Sequence, residues 1–317
     1  MNKPDVEHSA QRATQAQDPK ASSKHGAAGS SSTHEGMLRS MKELEGYTIR
    51  ATDGDIGQVS DFYFDDDQWV VRYLIVDAGH WLSSRKVSIS PIAIGTPDRA
   101  KGVLPVSITK EQVKNSPDID IHRPVSRQEE MRYHSYYGYP YYWGGSSTWG
   151  LGAYPGMMIS GVGYDGANAG YLAERAEQAQ KTNESALHEH EDPHLRSGNA
   201  IMKYRIEASD GSIGHVEGLL LDEETWAIRY LIVNTSNWWL GHQVLIAPQW
   251  IQDVSWLDHR VSVNLTRQAV KNAPPYDSAT PLDRNEEIDL YKHYNRAGYW
   301  AENVKLENPE LHTTKSP

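Results

Sequence analysis

The chain has 317 residues, no cysteine and a formal net charge of −11. These counts exclude disulfides, thiolate metal centres, iron–sulfur clusters and a cysteine nucleophile, and they argue against the basic field of an electrostatic nucleic-acid binder. Hydrophobic residues make up 38%, or roughly 40% when Gly is counted and Tyr is not, against ~45–50% in globular domains, so part of the chain is expected outside any core.

Residues 1–36 are rich in Ser, Ala, Gly, Lys and His with almost no large apolar side chains, the composition of a disordered tail. The polar start lacks the apolar stretch of a secretory signal. No run of ~18 apolar residues marks a membrane-spanning helix. The expected location is the cytoplasm of a bacterial-type cell, with peripheral association to the inner membrane left open.

From residue 37 the chain is duplicated. A shift of 157 residues places Asp53-Gly54 over Asp210-Gly211 and aligns 37–143 with 194–300 without a gap. Leu38-Arg39-Ser40 falls on Leu195-Arg196-Ser197, and Trp69 falls on Trp226. The run Arg72 to Val76 matches Arg229 to Val233, Pro91 matches Pro248, and Tyr142-Trp143 matches Tyr299-Trp300. A repeat of this length means two copies of a domain. Residues 144–193 are then a linker rich in Gly and aromatics with a helix from Ala167 to about His188, and 301–317 are a polar tail.

Within each copy, strand signals follow one another. Tyr47 to Ala51 enters the Asp53-Gly54 turn, whose glycine tolerates positive φ. Gly57 to Asp65 alternates, and Asp65-Asp66-Asp67 forms a polar hairpin tip. Trp69 to Val76 is nearly continuously apolar, interrupted by Arg72, as in a strand covered on both faces. The strand from Val87 stops at Pro91, which has no N–H to donate, and Val103 to Ile108 completes the set. Five or six short strands with tight turns predict a mainly β fold: two small antiparallel β-barrels, each followed by short helices. Thr109 to Gln112 and Ser126 to Glu129 fit the capping box at the starts of those helices. The second copy keeps Asp283 to Glu286 but has Ala269 in place of the first helix's glutamine.

The D-G-x-I-G turn, the W-x-x-R-Y-L-I-V strand, the strand ending at Pro91 or Pro248, and the P-x-x-R-x-E-E helix running to Tyr-Trp resemble the PRC-barrel family. That family includes the cytoplasmic barrel of the photosynthetic reaction-centre H subunit and the C-terminal domain of a ribosome-maturation factor. The resemblance covers 37–143 and 194–300. It implies a non-catalytic barrel that binds protein partners or sits beside an electron-transfer assembly. The alternative it carries is a membrane-peripheral accessory or assembly factor of a photosynthetic or electron-transfer complex.

Gly161-Val-Gly163-Tyr-Asp-Gly166 has the glycine spacing of a dinucleotide turn, which would make the chain an NAD(P)-binding oxidoreductase. The segment after the following helix, however, cannot supply the second parallel strand that such a site needs. No cofactor is expected. His188, His190 and His194, interleaved with Glu189, Glu191 and Asp192, are donors for a divalent ion. They lie in a charged stretch without fixed supporting partners, so adventitious binding is expected and no structural or catalytic metal site. Asp53, Asp55 and Asp65 to Asp67 are explained by turns, since nothing resembles a calcium loop.

Catalysis is not expected. His80, His215 and His242 have no histidine at the matching position, and no nucleophile sits in a recognisable context.

Arg72 and Arg229, in apolar strands, must either find partners or reach solvent from an exposed face of the barrel. The expected partners are Glu129 or Glu130, and Glu286 or Glu287, on the trailing helices. The aromatic tails contain Tyr136, Tyr137, Tyr142 and Trp143 in the first copy, and Tyr294, Tyr299 and Trp300 in the second. They are interface candidates, expected to pack on the opposite barrel or on a second chain. The partner class is protein, without nucleic acid.

Overall fold

The computed structural model describes residues 38–83, 85–117, 125, 127–143, 194–235 and 242–300. The expected N-terminal tail, the linker with its helix and glycine motif, His188 and His190, and the C-terminal tail lie outside the described residues.

The first repeat contains β1 (Leu38–Ser40), α1 (Met41–Leu44), β2 (Thr48–Ala51), β3 (Gly54–Asp65), β4 (Val70–Asp77), β5 (Lys86–Ile89), β6 (Val103–Pro105), α2 (Lys110–Lys114) and α3 (Arg127–Tyr137). The second follows the same plan with β7 (Leu195–Ser197), α4 (Gly198–Ile201), β8 (Arg205–Ala208), β9 (Gly211–Asp222), β10 (Ile228–Asn234) and β11 (Gln243–Ile246). It continues with β12 (Ile251–Ser255), β13 (Arg260–Val263), α5 (Arg267–Lys271) and α6 (Arg284–His293).

The turn glycines explain themselves. Gly54 and Gly211 have φ of 135° and 130°, a region that side chains with a Cβ avoid. A Cβ on Gly57 would lie 1.9 Å from the Asp77 carbonyl oxygen, and one on Gly214 2.1 Å from that of Asn234. The second glycine of D-G-x-I-G therefore lets the long strand cross closely over the end of its neighbour.

The protein is mainly β, with two mixed sheets. One runs β5-β4-β3-β2-β6 and the other β11-β10-β9-β8-β13-β12. Most pairs are antiparallel as expected, but β2 pairs β6 in parallel, and β8 pairs β13 in parallel. The antiparallel expectation is corrected at these two positions. The connection from Pro91 or Pro248 carries the chain around the sheet, so that the last strand returns alongside the first in the same direction.

The two repeats exchange strands. β3 is twelve residues long, but β2 covers only Gly54 to Gln58 of one edge, while β4 covers the other edge from Gln58 to Asp65. The rest of the first edge is closed by β7 from the second repeat, with Tyr63 opposite Ser197, Phe64 opposite Arg196 and Asp65 opposite Leu195. β1 does the same on β9, with Leu38 opposite Asp222 and Ser40 opposite Leu220. Each exchanged strand enters a one-turn helix capped by its serine: Ser40 Oγ accepts from the Lys42 amide, and Ser197 Oγ from that of Ala200. The chain then rejoins its own repeat through Gly46 N to Val59 O and Lys203 N to Val216 O, both 2.8 Å.

The hairpin ends also meet. Trp69 and Trp226 take left-handed conformations (φ 55° and 59°), which turn their carbonyls across the junction. Ile228 N donates to Trp69 O at 2.7 Å, and Val71 N to Trp226 O at 2.9 Å. One buried apolar cluster consequently runs through both repeats, including Met41, Phe64, Trp69 and Val71 from one and Leu221, Trp226 and Ile228 from the other. At ~1.5–3 kcal/mol for each large side chain taken out of water, this shared core couples the stability of the two repeats.

Candidate functional site

The most densely organised polar chemistry lies where the trailing helix and its aromatic tail close over the sheet, and it is built twice. In the first repeat, Arg72 on β4 has a side chain 1% exposed and reaches Asp65 at the end of β3 at 3.4 Å. Its guanidinium lies 3.9 Å from the centre of the Tyr142 ring. The Tyr142 hydroxyl donates to Glu130 and accepts from Arg127 Nη1 at 2.8 Å. Arg127 also pairs with Glu130 at 2.9 Å. Tyr73 donates to the same carboxylate at 3.2 Å and faces His134 Nε2 at 3.0 Å.

Local sequence dictates this arrangement. Arg127, Glu130 and His134 recur every three or four residues on α3, so one helix face carries all three. Asp65 does double duty: its Oδ1 accepts from the Asp67 and Gln68 amides of the hairpin turn, leaving Oδ2 for Arg72.

In the second repeat, Arg229 pairs with Asp222 at 3.1 Å and lies 4.1 Å from the Tyr299 ring centre. Tyr230 and Tyr299 donate to Glu287 at 2.7 and 2.9 Å. Arg284 pairs with Glu287 at 2.6 Å and donates to the Tyr299 hydroxyl at 3.0 Å. The chief difference is that Tyr291 stands where the first repeat has His134.

The structure corrects the expected Arg72 and Arg229 pairs. Their carboxylate partners are Asp65 and Asp222, one strand away within the same hairpin. Glu130 and Glu287 are instead bound by Arg127 and Arg284 of their own helices, and a tyrosine ring stacked on each buried arginine joins the two pairs. Glu129 is half-buried on the neighbouring helix position. Glu286 closes the capping box, its carboxylate accepting from the Asp283 amide at 2.9 Å.

The aromatic tails likewise dock at home. Tyr142 is 5% exposed, and Trp143 lies on Arg127 at 4.8 Å. Trp300 lies on Arg284 at 4.7 Å, and Tyr294 packs on Trp250 at 4.7 Å between ring centres. Tyr137 stacks on Tyr139 at 5.2 Å. Packing of the tails across the repeats, expected from their composition, is replaced by strand exchange. The reason is that each tail finds a buried arginine of its own repeat, desolvated and flat enough to stack on. Tyr136 remains 41% exposed, its hydroxyl donating to the Gln112 carbonyl on α2 at 2.9 Å.

Burial sets the titration of the cluster. It pushes the Glu130 and Glu287 carboxyls up, against the lowering effect of Arg127 and of Tyr230 respectively. It raises the Tyr73 and Tyr142 phenols well above their ordinary value. Burial, with Arg72 and Arg127 nearby, lowers His134 to about 4, so its imidazole is neutral at pH 7. The Nδ1 faces the Pro140 carbonyl at 2.9 Å and must carry the hydrogen, which leaves Nε2 an acceptor that competes with Glu130 for the single Tyr73 hydroxyl proton.

A pH prediction follows. The folded value of His134 lies below its ordinary 6.5, so the unfolded chain takes up this proton first. The stability it contributes is complete above about pH 6.5 and is lost as the pH falls towards 4, by about 3 kcal/mol at ~1.4 kcal/mol per unit. Glu130 works in the opposite sense, since its folded value is raised. A His134→Gln variant keeps the Glu130 contribution and should lose less stability than wild type between pH 7 and 4.5 in urea unfolding. Parallel pH profiles for the two proteins would rule this out.

No described helix is long and apolar enough to cross a membrane. No curated protein matches the chain. Residues 39–113, from β1 into α2, match the family model described as PRC-barrel domain. The match covers about a quarter of the chain and lies wholly within the first repeat.

Proposed function

We propose that the chain is a non-catalytic, protein-binding scaffold module made of two PRC-barrel repeats. One observation carries this reading. The carboxylates, arginines and phenols best suited to chemistry are buried in duplicate, with one imidazole in the first copy, and are bound to one another, where they fasten helix and tail to the sheet. Chemistry requires such groups to meet a substrate; here they meet each other. Two of the three exposed large hydrophobic side chains among the described residues flank α2. Trp81 is 36% exposed beside Lys110, and Tyr136 is 41% exposed over Gln112. Aromatic residues with one polar end are favoured at protein interfaces.

The test uses the full-length chain as immobilised bait in native lysate, beside a Trp81→Ala/Tyr136→Ala variant of equal thermal stability. The expected result is a partner that binds wild type and is lost, or weakened at least tenfold, with the variant. Equal capture by both baits removes α2 and its flanking aromatics as the recognition surface. The absence of any saturable partner sinks the scaffold reading itself.

A further inference from the structure

The duplication gives each junction between the repeats an internal comparison. At one junction Glu223, at the tip of the β9–β10 hairpin, sits between two guanidinium groups: Arg39 of β1 at 2.6 Å, and Arg99. At the other, the matching carboxylate is Asp66 at the tip of the β3–β4 hairpin. Arg196 of β7, the counterpart of Arg39, reaches it at 2.7 Å. The counterpart of Arg99, however, is Trp256, an indole stacked 4.6 Å from the Arg196 guanidinium. One carboxylate thus holds two cations, and its equivalent holds one among the described residues.

The second junction opens into a cleft of about 650 Å³ whose lining includes Asp66, Asp67, His194, Trp69, Asp253 and Trp256, the counterpart of Arg99. Its chemistry also differs. His194 stands where the other copy has Met37, and Asp253 where it has Thr96. Ligand atoms of Asp66, Asp67 and His194 all lie within 4.8 Å of one another, and His194 Nδ1 is 3.2 Å from Asp67 Oδ2. Donors that share an ion at ~2.1 Å stand ~3–4 Å apart, so small side-chain rotations bring the three onto one centre.

We propose that Asp66, Asp67 and His194 bind a divalent transition-metal ion at this junction. The ion takes the role that the second guanidinium plays at the other junction. Two carboxylate oxygens and an imidazole nitrogen form the mixed oxygen and nitrogen set suited to Zn²⁺, Co²⁺ or Mn²⁺, and the open side of the cleft leaves further positions to water. Because His194 immediately precedes β7 while Asp66 and Asp67 belong to the first repeat, the ion fastens the exchanged strand to the hairpin that receives it. The proposal revises the expectation of merely adventitious binding for His194, which the fold places beside the Asp66 and Asp67 carboxylates.

The experiment titrates the full-length chain with Zn²⁺ and, separately, Mn²⁺, following heat of binding and the thermal midpoint. One saturable ion per chain is expected for at least one metal, with a midpoint raised by roughly 5–10 °C at a hundred times the dissociation constant. His194→Met installs the residue of the other copy, and Asp67→Asn changes an exposed side chain. Both should abolish the rise, while Glu224→Gln at the matching place on the other junction should keep it. Circular dichroism of the metal-free variants checks that they fold. The proposal is overturned if neither metal raises the wild-type midpoint, or if either variant at the site retains the rise. Retention in His194→Met would assign the ion to His188 and His190 instead. Equal loss in Glu224→Gln would show a general charge effect and overturn it too.

Discussion

Replacing Arg72 by methionine should destabilise the protein by about 3–5 kcal/mol, one of the largest effects of any single substitution in the first repeat. Methionine matches much of the volume and suits the apolar strand, so little packing is lost. The cost arises from Asp65, whose side chain is 5% exposed and faces Arg72 at 3.4 Å. Once the guanidinium is removed, a buried carboxylate remains uncompensated. The Tyr142 ring also loses the cation on which it stacks, worth a further ~1–2 kcal/mol where water is excluded. Asp65→Asn removes the charge but keeps an oxygen for the turn amides, so the double variant Arg72→Met/Asp65→Asn should recover much of the loss. A double-mutant cycle by urea unfolding should give more than 1 kcal/mol of coupling between positions 72 and 65. Wild-type stability in Arg72→Met would refute the cluster as a fastening device.

The same residues show what could be read from the sequence. That Arg72 needs either a partner or a path to solvent was legible, because a charge interrupts the run from Trp69 to Val76. Its partner was not legible. The carboxylate seven residues back in the hairpin and those on the following helix are equally plausible until strand register and helix docking fix which side chain faces which. The glycines of D-G-x-I-G, the stop at Pro91 and the caps at Thr109 and Asp283 were legible because each is a local rule of backbone geometry. Strand exchange was not, for a definite reason. Leu38-Arg39-Ser40 and Leu195-Arg196-Ser197 are identical, so either segment presents the same pattern to either long strand. The choice between a repeat's own edge and its neighbour's depends on the path of the one-turn helix that follows. The aromatic tails were misplaced for a related cause: composition marks a side chain as fit for an interface without saying that the nearest cation lies in its own repeat.

Exchange makes the two repeats one folding unit, and cutting the linker should show it. With a protease site placed within residues 144–193 of the full-length chain, the cleaved protein should remain a single particle in size-exclusion chromatography and unfold in one transition. Each half closes an edge of the other through three strand residues, and the two share a core, so neither half is complete alone. The duplication also diverged where the halves meet. Met41 and Gly198 are matching positions, and a Cβ on Gly198 would stand 2.6 Å from the Met41 terminal methyl and 3.3 Å from the Phe62 carbonyl oxygen. A methionine at one position and a glycine at its counterpart fit together, whereas two methionines would collide. Gly198→Met should therefore cost about 1–3 kcal/mol from overpacking, and more once the linker no longer holds the halves together. Its cleaved form should dissociate at concentrations where cleaved wild type stays intact, and Met41→Gly in the same chain should restore part of the association by returning the lost space. Two independent unfolding transitions in cleaved wild type, or full association of cleaved Gly198→Met, would mean that the repeats stand separately and that the exchanged strands contribute little to holding them together.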